Sequence, residues 1–172
     1  ATENLMAAGA LAEGTTVICN AAREPEIVDQ QNFLNLMGAK VRGAGTGQVI
    51  VEGVKELGGA DYTVIPDRIE AGTMMVAAVI TGGHVTVQDV EPEHLGFLIA
   101  KLREMGAGVE VSHNRIDCFA DQPITGTTVR SMPYPGFATD LQPNIAALAS
   151  TAVGCSVLIE TIYSNRFHYL EE

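Results

Sequence analysis

Residues 65–85 read IPDRIEAGTMMVAAVITGGHV and join a charged start to an almost uniformly apolar continuation. Asp67, Arg68 and Glu70 come first, and the stretch that follows has hardly any polar residue on any side of a helix. A helix that is apolar all round must be covered all round. Its first turn, in contrast, offers unpaired backbone N–H groups and partial positive charge, which suit an anion. The stretch therefore predicts a buried helix over residues 69–80 whose charged end faces a ligand.

The chain contains internal repeats at a spacing of about seventy residues. LAEGTTVICNA matches ITGGHVTVQDV, so that Gly14 is equivalent to Gly83 and Asn20 is equivalent to Asp89. NFLNLMGAKV matches AKLREMGAGV further along the same two copies. A third, partial copy is LASTAVGCSVLIET, in which Gly154 takes the place of Gly83. We therefore expect one structural unit that is used repeatedly.

Each copy predicts the same order of elements. An Ala-rich helix that ends at glycine is followed by a strand with alternating apolar residues, an amphipathic helix and two short strands. The amphipathic helices begin with Glu-Pro, which suits a first helical turn, and they end at Gly38 and Gly106. The last two strands of the second copy form a hairpin whose turn holds His113 and Asn114, because Asn tolerates positive φ. In that copy one apolar stripe consists of Leu95, Leu98, Leu102 and Met105.

An extended segment, DYTVIP or TTVRSMP, leads into the next copy, so the repeated unit is βαβαββ. The predicted class is α/β with mixed rather than purely parallel strand pairing. The Ala-rich helices, predicted over residues 4–11, 69–80 and 144–153, carry small side chains that let other helices approach closely. We expect these helices in the middle, with sheets and amphipathic helices outside, which is an inside-out α/β barrel. A two-layer sandwich of tightly packed helices is the alternative that the pattern leaves open.

Composition limits the possible functions. The chain has 10 basic and 21 acidic residues and a net charge of −11, which argues against a nucleic-acid partner. Its longest apolar run covers residues 74–80, too short to cross a membrane, and the N-terminus lacks the basic region of a signal peptide. The scattered Cys19, Cys118 and Cys155 suggest reduced core thiols in a cytoplasmic protein. The histidines show no metal-ligand spacing, so no metal site is predicted.

Candidate functional residues lie where the Ala-rich helices begin. Asp67 can cap its helix with Glu70 three residues on, so a capping box is the structural alternative to a ligand contact. FATDLQPN occupies the same place in the third copy, where Thr139 or Asp140 could act as the cap. The special residues of this loop exceed what a cap requires, which makes Asp140 the best candidate for a carboxylate that binds or deprotonates a substrate hydroxyl.

Two further motifs follow predicted strands. NAAREPEIVD crowds Arg23, Glu24 and Glu26 into a strand-to-helix turn, and a solvated helix start explains it equally well. ETIYSNRF offers Arg166 as an anion contact beside an apolar wall that includes Ile162. The chain has no P-loop, no dinucleotide-binding glycine motif and no nucleophile elbow.

In this order and spacing, NAAREPEIVD, IPDRIEAGT, PGFATDLQ and ETIYSNRF closely resemble motifs of the UDP-N-acetylglucosamine enolpyruvyl transferases (1-carboxyvinyltransferases), in the EPSP synthase-like superfamily. The resemblance runs through essentially the whole chain. It implies βαβαββ repeats in two inside-out α/β domains, with the chain crossing between domains just before PDRIE. Residues 1–65 would then be the C-terminal part of one domain and residues 66–172 part of the second.

The resemblance also implies a reaction. The enolpyruvyl group of phosphoenolpyruvate moves to the 3-hydroxyl of UDP-N-acetylglucosamine with release of phosphate, in cytoplasmic peptidoglycan synthesis, without a metal or organic cofactor. It implies that Asp140 binds the sugar near that hydroxyl and is the proposed base. It also implies that Ile162 contacts the nucleotide sugar. The remaining residues that match family motif positions are Arg166, as a substrate contact, and Glu24, Asp67 and Arg68, as supporting residues.

The chain departs from the family in length and corresponds to about its middle two fifths. It lacks the N-terminal Lys-Asn pair, the mobile loop with the proton-donating Cys or Asp, and the C-terminal Asp and Arg segments. These segments are therefore expected partners, the chain alone is expected to be inactive, and none of its three cysteines is the catalytic one. The alternative is a non-catalytic βαβαββ module that binds a ligand or partner. The motifs AAREPE and FATD fit the shikimate-pathway transferase less well.

Overall fold

A computed structural model describes residues 1–171 of the chain. The chain divides into two compact units, Ala1–Ile65 (unit 1) and Pro66–Glu172 (unit 2). The division falls just before PDRIE, where the family resemblance implies a domain crossing. That each unit is part of a larger domain stays a prediction.

Unit 1 contains the helix, strand, helix, strand, strand order of one copy, and no strand precedes the first helix among its residues. Its second helix begins at Pro25, as the Glu-Pro motif predicts, and stops before Gly38, whose φ of +103° suits glycine. The elements are α1 (Thr2–Ala10), β1 (Thr15–Cys19), α2 (Pro25–Leu36), β2 (Lys40–Arg42) and β3 (Gln48–Glu52).

The sheet of unit 1 has the order β1-β3-β2, and both pairings are antiparallel. The first strand of the copy is therefore paired with the last strand of the hairpin, with Thr15 opposite Glu52. Helix α1 packs closely on this sheet, because a side chain at Gly9 would meet Thr16 and Val51 at 3.3 Å. Met6, Val49 and Val51 form part of the core beneath it.

Unit 2 holds a second copy and part of a third, and the extended segment DYTVIP before the first helix of the second copy forms no strand. The second copy comprises α3 (Arg68–Ile80), β4 (His84–Gln88), a 3₁₀ turn (Pro92–Leu95), α4 (Gly96–Glu104), β5 (Gly108–Ser112) and β6 (Arg115–Phe119). The third part comprises β7 (Thr128–Arg130), a 3₁₀ turn (Thr139–Leu141), α5 (Gln142–Ser150), β8 (Val157–Ile159) and a terminal 3₁₀ helix (Arg166–Glu171).

The second copy has the same sheet as the first. Its order is β4-β6-β5 with antiparallel pairings, whereas β7 and β8 pair in parallel, so the predicted mixed pairing is confirmed. The predicted apolar stripe of α4 is also confirmed, since its four residues are at most 2% exposed: Leu95, Leu98, Leu102 and Met105.

Burial of the Ala-rich helices is one-sided. Met75, Val76 and Val79 of α3 are core residues, but Met74 is 48% exposed, and the neighbouring positions 70 and 77 are exposed too. These positions lie four and three residues apart and therefore form one strip along the helix. The expected helix without a wet face thus keeps an exposed strip among the described residues.

Backbone conformation supports the repeat at single-residue level. Asn20 and Asp89, which the sequence places at equivalent positions, have φ of 53° and 52°. They are the only non-glycine residues with positive φ within residues 1–171. The left-handed conformation expected at Asn114 is therefore wrong. The two copies instead adopt the left-handed conformation directly after β1 and β4, where the chain turns towards the amphipathic helix.

The cysteines differ from the expected core thiols. Cys118 is buried in β6, where burial raises the pKa of its thiol to about 11, but Cys19 and Cys155 are exposed. Alternation explains Cys19, because it ends β1 on the face opposite to the buried Ile18. No helix within residues 1–171 has the length and apolar character needed to cross a bilayer.

Candidate functional site

Asp140 and Arg166 come together in unit 2. Arg166 Nη2 donates a hydrogen bond of 2.8 Å to Asp140 Oδ1, and Arg166 Nε donates one of 3.2 Å to Thr139 Oγ1. The guanidinium also lies 5.2 Å from the centre of the Tyr163 ring. The FATD and ETIYSNRF motifs, separate in sequence, therefore form one cluster.

Glu160 connects this cluster to the loop that carries Ile162. Its Oε2 accepts a hydrogen bond of 2.9 Å from Thr139 Oγ1. Its Oε1 accepts the backbone N–H groups of Ile162 and Tyr163 at 2.7 and 3.0 Å. Burial, the largest single effect, raises the pKa of Glu160, but the hydrogen bonds together outweigh it and the net pKa is lowered. The carboxylate is therefore ionised at neutral pH.

The 3₁₀ turn that carries Asp140 packs against α3. Leu141 is 2% exposed, and a side chain at Gly72 would lie 2.9 Å from its Cδ1, so glycine permits the close approach of turn and helix. Asn144 Nδ2 donates a 2.8 Å hydrogen bond to Thr73 Oγ1. The expectation that Thr139 or Asp140 caps α5 is wrong, because their side chains bind Glu160 and Arg166 instead and the cap position is Leu141.

The end of the described chain also packs on α5. Tyr169 donates a 3.0 Å hydrogen bond from its hydroxyl to Oε1 of Gln142, which is only 1% exposed. Burial raises the pKa of Tyr169, so its phenol stays protonated and can donate. This hydrogen bond holds the terminal 3₁₀ helix, which begins at Arg166, against α5.

Asp67 and Arg68 lie at the start of α3. Asp67 Oδ1 accepts hydrogen bonds from the N–H groups of Ile69 and Glu70 at 2.7 and 3.3 Å. Asp67 therefore caps α3, which is the alternative to a ligand contact that the sequence left open. Arg68 is 8% exposed, lies 5.6 Å from the centre of the Tyr134 ring and lines a small cavity with residues of the PGFA loop. This loop leads directly into Asp140.

Glu24 belongs to unit 1. It is the N-cap residue of α2, but its side chain makes no capping hydrogen bond. Its Oε2 is buried and accepts no hydrogen bond from the residues that the structure describes. The structure therefore brings Asp140, Arg166 and Ile162 into one cluster with Arg68 nearby, and it describes Glu24 only within unit 1.

The sequence did not single out Glu160 or the hydroxyl contact of Thr139. One pattern could have indicated Glu160. It lies six residues after Gly154, as Asn20 and Asp89 lie six residues after Gly14 and Gly83.

The repeated units have the fold of an enolpyruvyl transferase. The structure matches the crystal structure of the enolpyruvyl transferase NikO from Streptomyces tendae with a TM-score of 0.77 and 24% identity, over 95% of this chain and 39% of that chain. The chain belongs to the family of EPSP synthase (3-phosphoshikimate 1-carboxyvinyltransferase), whose model matches residues 1–172. The predicted fold class is confirmed.

Two sequence relatives agree with the resemblance of the motifs. The chain is 56% identical over 172 residues to UDP-N-acetylglucosamine 1-carboxyvinyltransferase 1 of Symbiobacterium thermophilum. It is 54% identical over 172 residues to the protein of the same name from Halalkalibacterium halodurans. All of this chain and 39% of each relative are matched, so the chain spans about two fifths of their length.

Proposed function

We propose that the chain is part of a UDP-N-acetylglucosamine enolpyruvyl transferase. Such an enzyme transfers enolpyruvyl from phosphoenolpyruvate to the 3-hydroxyl of UDP-N-acetylglucosamine and releases phosphate. The names of the two sequence relatives support this substrate class. The observation that carries the proposal is the cluster of Asp140, Arg166 and the Ile162 loop. We place the reaction in cytoplasmic peptidoglycan synthesis, with neither nucleic acid nor membrane as a partner.

Asp140 is the proposed base and sugar ligand. Its Oδ1 accepts from Arg166, whereas Oδ2 accepts no hydrogen bond within residues 1–171, and the side chain is 57% exposed. An ionised carboxylate oxygen only accepts hydrogen bonds, so Oδ2 can receive the proton of a sugar hydroxyl. A general base must lie within hydrogen-bond reach of the proton it takes, and Arg166 orients the carboxylate for that contact.

Ile162 and Arg166 complete the proposed contact surface. Ile162 and Tyr163 are 45% and 54% exposed and supply apolar area for the nucleotide sugar. Arg166 has further N–H groups beyond those given to Asp140 and Thr139, and a guanidinium suits phosphate oxygens. Glu24, Asp67 and Arg68 stay proposed as supporting residues.

Phosphoenolpyruvate requires more basic groups than this chain provides. A net charge of −11 disfavours holding two anionic substrates at once. We propose that segments of a longer transferase, outside the region that this chain matches, bind phosphoenolpyruvate and supply the proton donor. The 172-residue chain by itself then binds the nucleotide sugar without turnover.

Calorimetric titration of the chain with UDP-N-acetylglucosamine tests this function. We expect saturable binding that Asp140→Ala weakens at least about tenfold, or ~1.4 kcal/mol. Asp61→Ala, at an exposed aspartate of unit 1, is the matched control and should bind like the wild type. Absence of saturable binding, or equal binding by Asp140→Ala, would contradict the proposal.

Two further measurements separate the alternatives. Phosphate release from both substrates by the chain alone, at the rate of a complete transferase, would refute the need for further segments. Competition with shikimate 3-phosphate addresses the activity that the family's name describes. We expect no displacement of the nucleotide sugar, and efficient displacement would favour the shikimate-pathway reaction.

A further inference from the structure

We propose that Glu160 is a positioning residue that sets the hydrogen-bonding direction of Thr139 and thereby the orientation of Arg166 and Asp140 towards the nucleotide sugar. The proposal rests on the function proposed above and adds a residue that acts through others. Its basis is a continuous chain of hydrogen bonds that runs from Glu160 through Thr139 and Arg166 to Asp140.

The backbone at Glu160 is fixed on both sides. Ile159 accepts a 2.9 Å hydrogen bond from the N–H of Ser131, and the Thr161 hydroxyl donates to the carbonyl of the same Ser131. Ser131 is fully buried and directly follows β7, which pairs with β8. The Glu160 side chain therefore starts from a rigid point of the sheet.

The hydroxyl of Thr139 can donate only one hydrogen bond, and Glu160 determines its direction. An ionised carboxylate accepts but does not donate, so Thr139 must donate to Oε2. The lone pairs of Thr139 Oγ1 are then available to Arg166 Nε, which donates to it at 3.2 Å. A donor at the place of Oε2 would reverse this direction, so Thr139 Oγ1 would have to accept from both that donor and Arg166 Nε and would lose its bond to a carboxylate.

The repeat supports a role beyond local structure. In the first two copies, the residues equivalent to Glu160 are Asn20 and Asp89, and both adopt positive φ. Glu160 does not. Its carboxylate folds back over the next residues and accepts the N–H groups of Ile162 and Tyr163. The third copy thus departs from the common turn at the start of the loop that carries Ile162 and Tyr163, here called the contact loop.

Four variants of the 172-residue chain test the chain of hydrogen bonds: Glu160→Gln, Thr139→Val, Thr139→Ser and the double variant Glu160→Gln/Thr139→Val. We expect Glu160→Gln and Thr139→Val each to weaken UDP-N-acetylglucosamine binding about tenfold. Thr139→Ser keeps the hydroxyl and should bind within about twofold of the wild type. The double variant should be no weaker than either single one, because both break the same connection.

A control in the same unit measures the structural share of the effect. Glu104 Oε1 accepts a 2.5 Å hydrogen bond from Thr127 Oγ1, which is also a Glu–Thr pair, away from the Asp140 cluster. Glu104→Gln should change stability about as much as Glu160→Gln but leave nucleotide-sugar binding unchanged. Equal binding by wild type and Glu160→Gln, or strictly additive effects in the double variant, would overturn the proposal.

A measurement without ligand separates this proposal from the proposed function. In the free chain, Glu160→Gln should shift the NMR signal of the Arg166 Nε–H and speed hydrogen exchange at the Ile162 and Tyr163 amides. Thr139→Val should shift the Arg166 signal and leave the two amides protected. If the wild type fails to bind the sugar but these changes occur, the function is wrong and the positioning holds. An unshifted Arg166 signal in Glu160→Gln refutes the positioning itself.

Discussion

Asp140 and Arg166 are joined by one hydrogen bond of 2.8 Å between Oδ1 and Nη2, in a pair that remains open to solvent. The Asp140 side chain is 57% exposed and that of Arg166 is 28% exposed. Exposed ion pairs contribute little to stability, typically about 0–1 kcal/mol. The geometry of this pair therefore matters for what it can bind more than for folding.

Arg166→Lys tests this separation. Lysine keeps the charge but cannot contact Asp140 and Thr139 together and stack on Tyr163. We expect the dissociation constant for UDP-N-acetylglucosamine to rise about tenfold, or ~1.4 kcal/mol, and the free energy of unfolding to change by less than ~1 kcal/mol. Titration calorimetry and urea denaturation measure the two quantities.

Arg42→Lys is the matched control for that exchange. Arg42 pairs with Glu52 at 2.6 Å between exposed side chains of unit 1. This variant should bind like the wild type. A similar loss of binding in both variants would show that the effect does not arise from the geometry around Asp140.

Gly126→Ala tests the support of β8. A Cβ atom at Gly126 would collide with the backbone carbonyl of Cys155, which cannot move as a side chain does. The N–H of Gly126 also donates a 2.9 Å hydrogen bond to Val153. We expect a loss of about 1–3 kcal/mol in the free energy of unfolding, as for other overpacked sites.

The same variant should disturb the start of the contact loop, because Glu160 follows β8 directly. Hydrogen exchange at Ile162 and Tyr163 should therefore become faster. At Gly59 a Cβ atom meets nothing within 4 Å, so Gly59→Ala should leave stability and exchange nearly unchanged. Wild-type stability in Gly126→Ala would contradict the tight contact between these segments.

Asp117 makes stability depend on pH in the acid range. Hydrogen bonds from Arg115 and Thr86 lower the pKa of Asp117 from 3.8 to about 2. A carboxylate with a lowered pKa in the folded state adds stability above its unfolded pKa and loses it as the pH falls through the folded value. The contribution of Asp117 should therefore be complete above about pH 4 and vanish towards pH 2.

Urea denaturation of wild type and Asp117→Asn across this range measures the contribution. The difference in unfolding free energy between the two proteins should shrink as the pH falls, and NMR should follow the carboxyl titration directly. Asp61→Asn, at an exposed aspartate of unit 1, serves as the control. A constant difference between pH 4 and pH 2 would show that these contacts do not lower the pKa of Asp117.

The elements that local patterns describe were predictable. The stripe of Leu95, Leu98, Leu102 and Met105 follows helical spacing, and the structure buries it. Gly38 and Gly106 end helices because the chain there needs positive φ, at +103° and +101°. Such features depend on neighbours along the chain, which a single sequence displays.

Features that depend on distant contacts were not predictable in the same way. The Thr139–Glu160 hydrogen bond joins residues 21 positions apart, so no local pattern shows it. The exposed strip at Met74 depends on which elements pack around α3, whereas composition alone indicated complete cover. The residue pattern already indicated Asp140 as a carboxylate for a substrate hydroxyl and Arg166 as an anion contact beside Ile162. The motif resemblance added the nucleotide sugar as their ligand, and these roles stay predictions until binding is measured.

Each three-stranded sheet draws all its strands from one copy of the repeat. The pairing of β1 with β3 joins residues 15–19 to residues 48–52, and that of β4 with β6 joins residues 84–88 to residues 115–119. Partners this near in sequence shorten the loops that folding must close, which favours fast folding. One sheet can therefore form during synthesis, before the ribosome has synthesised the strands of the next.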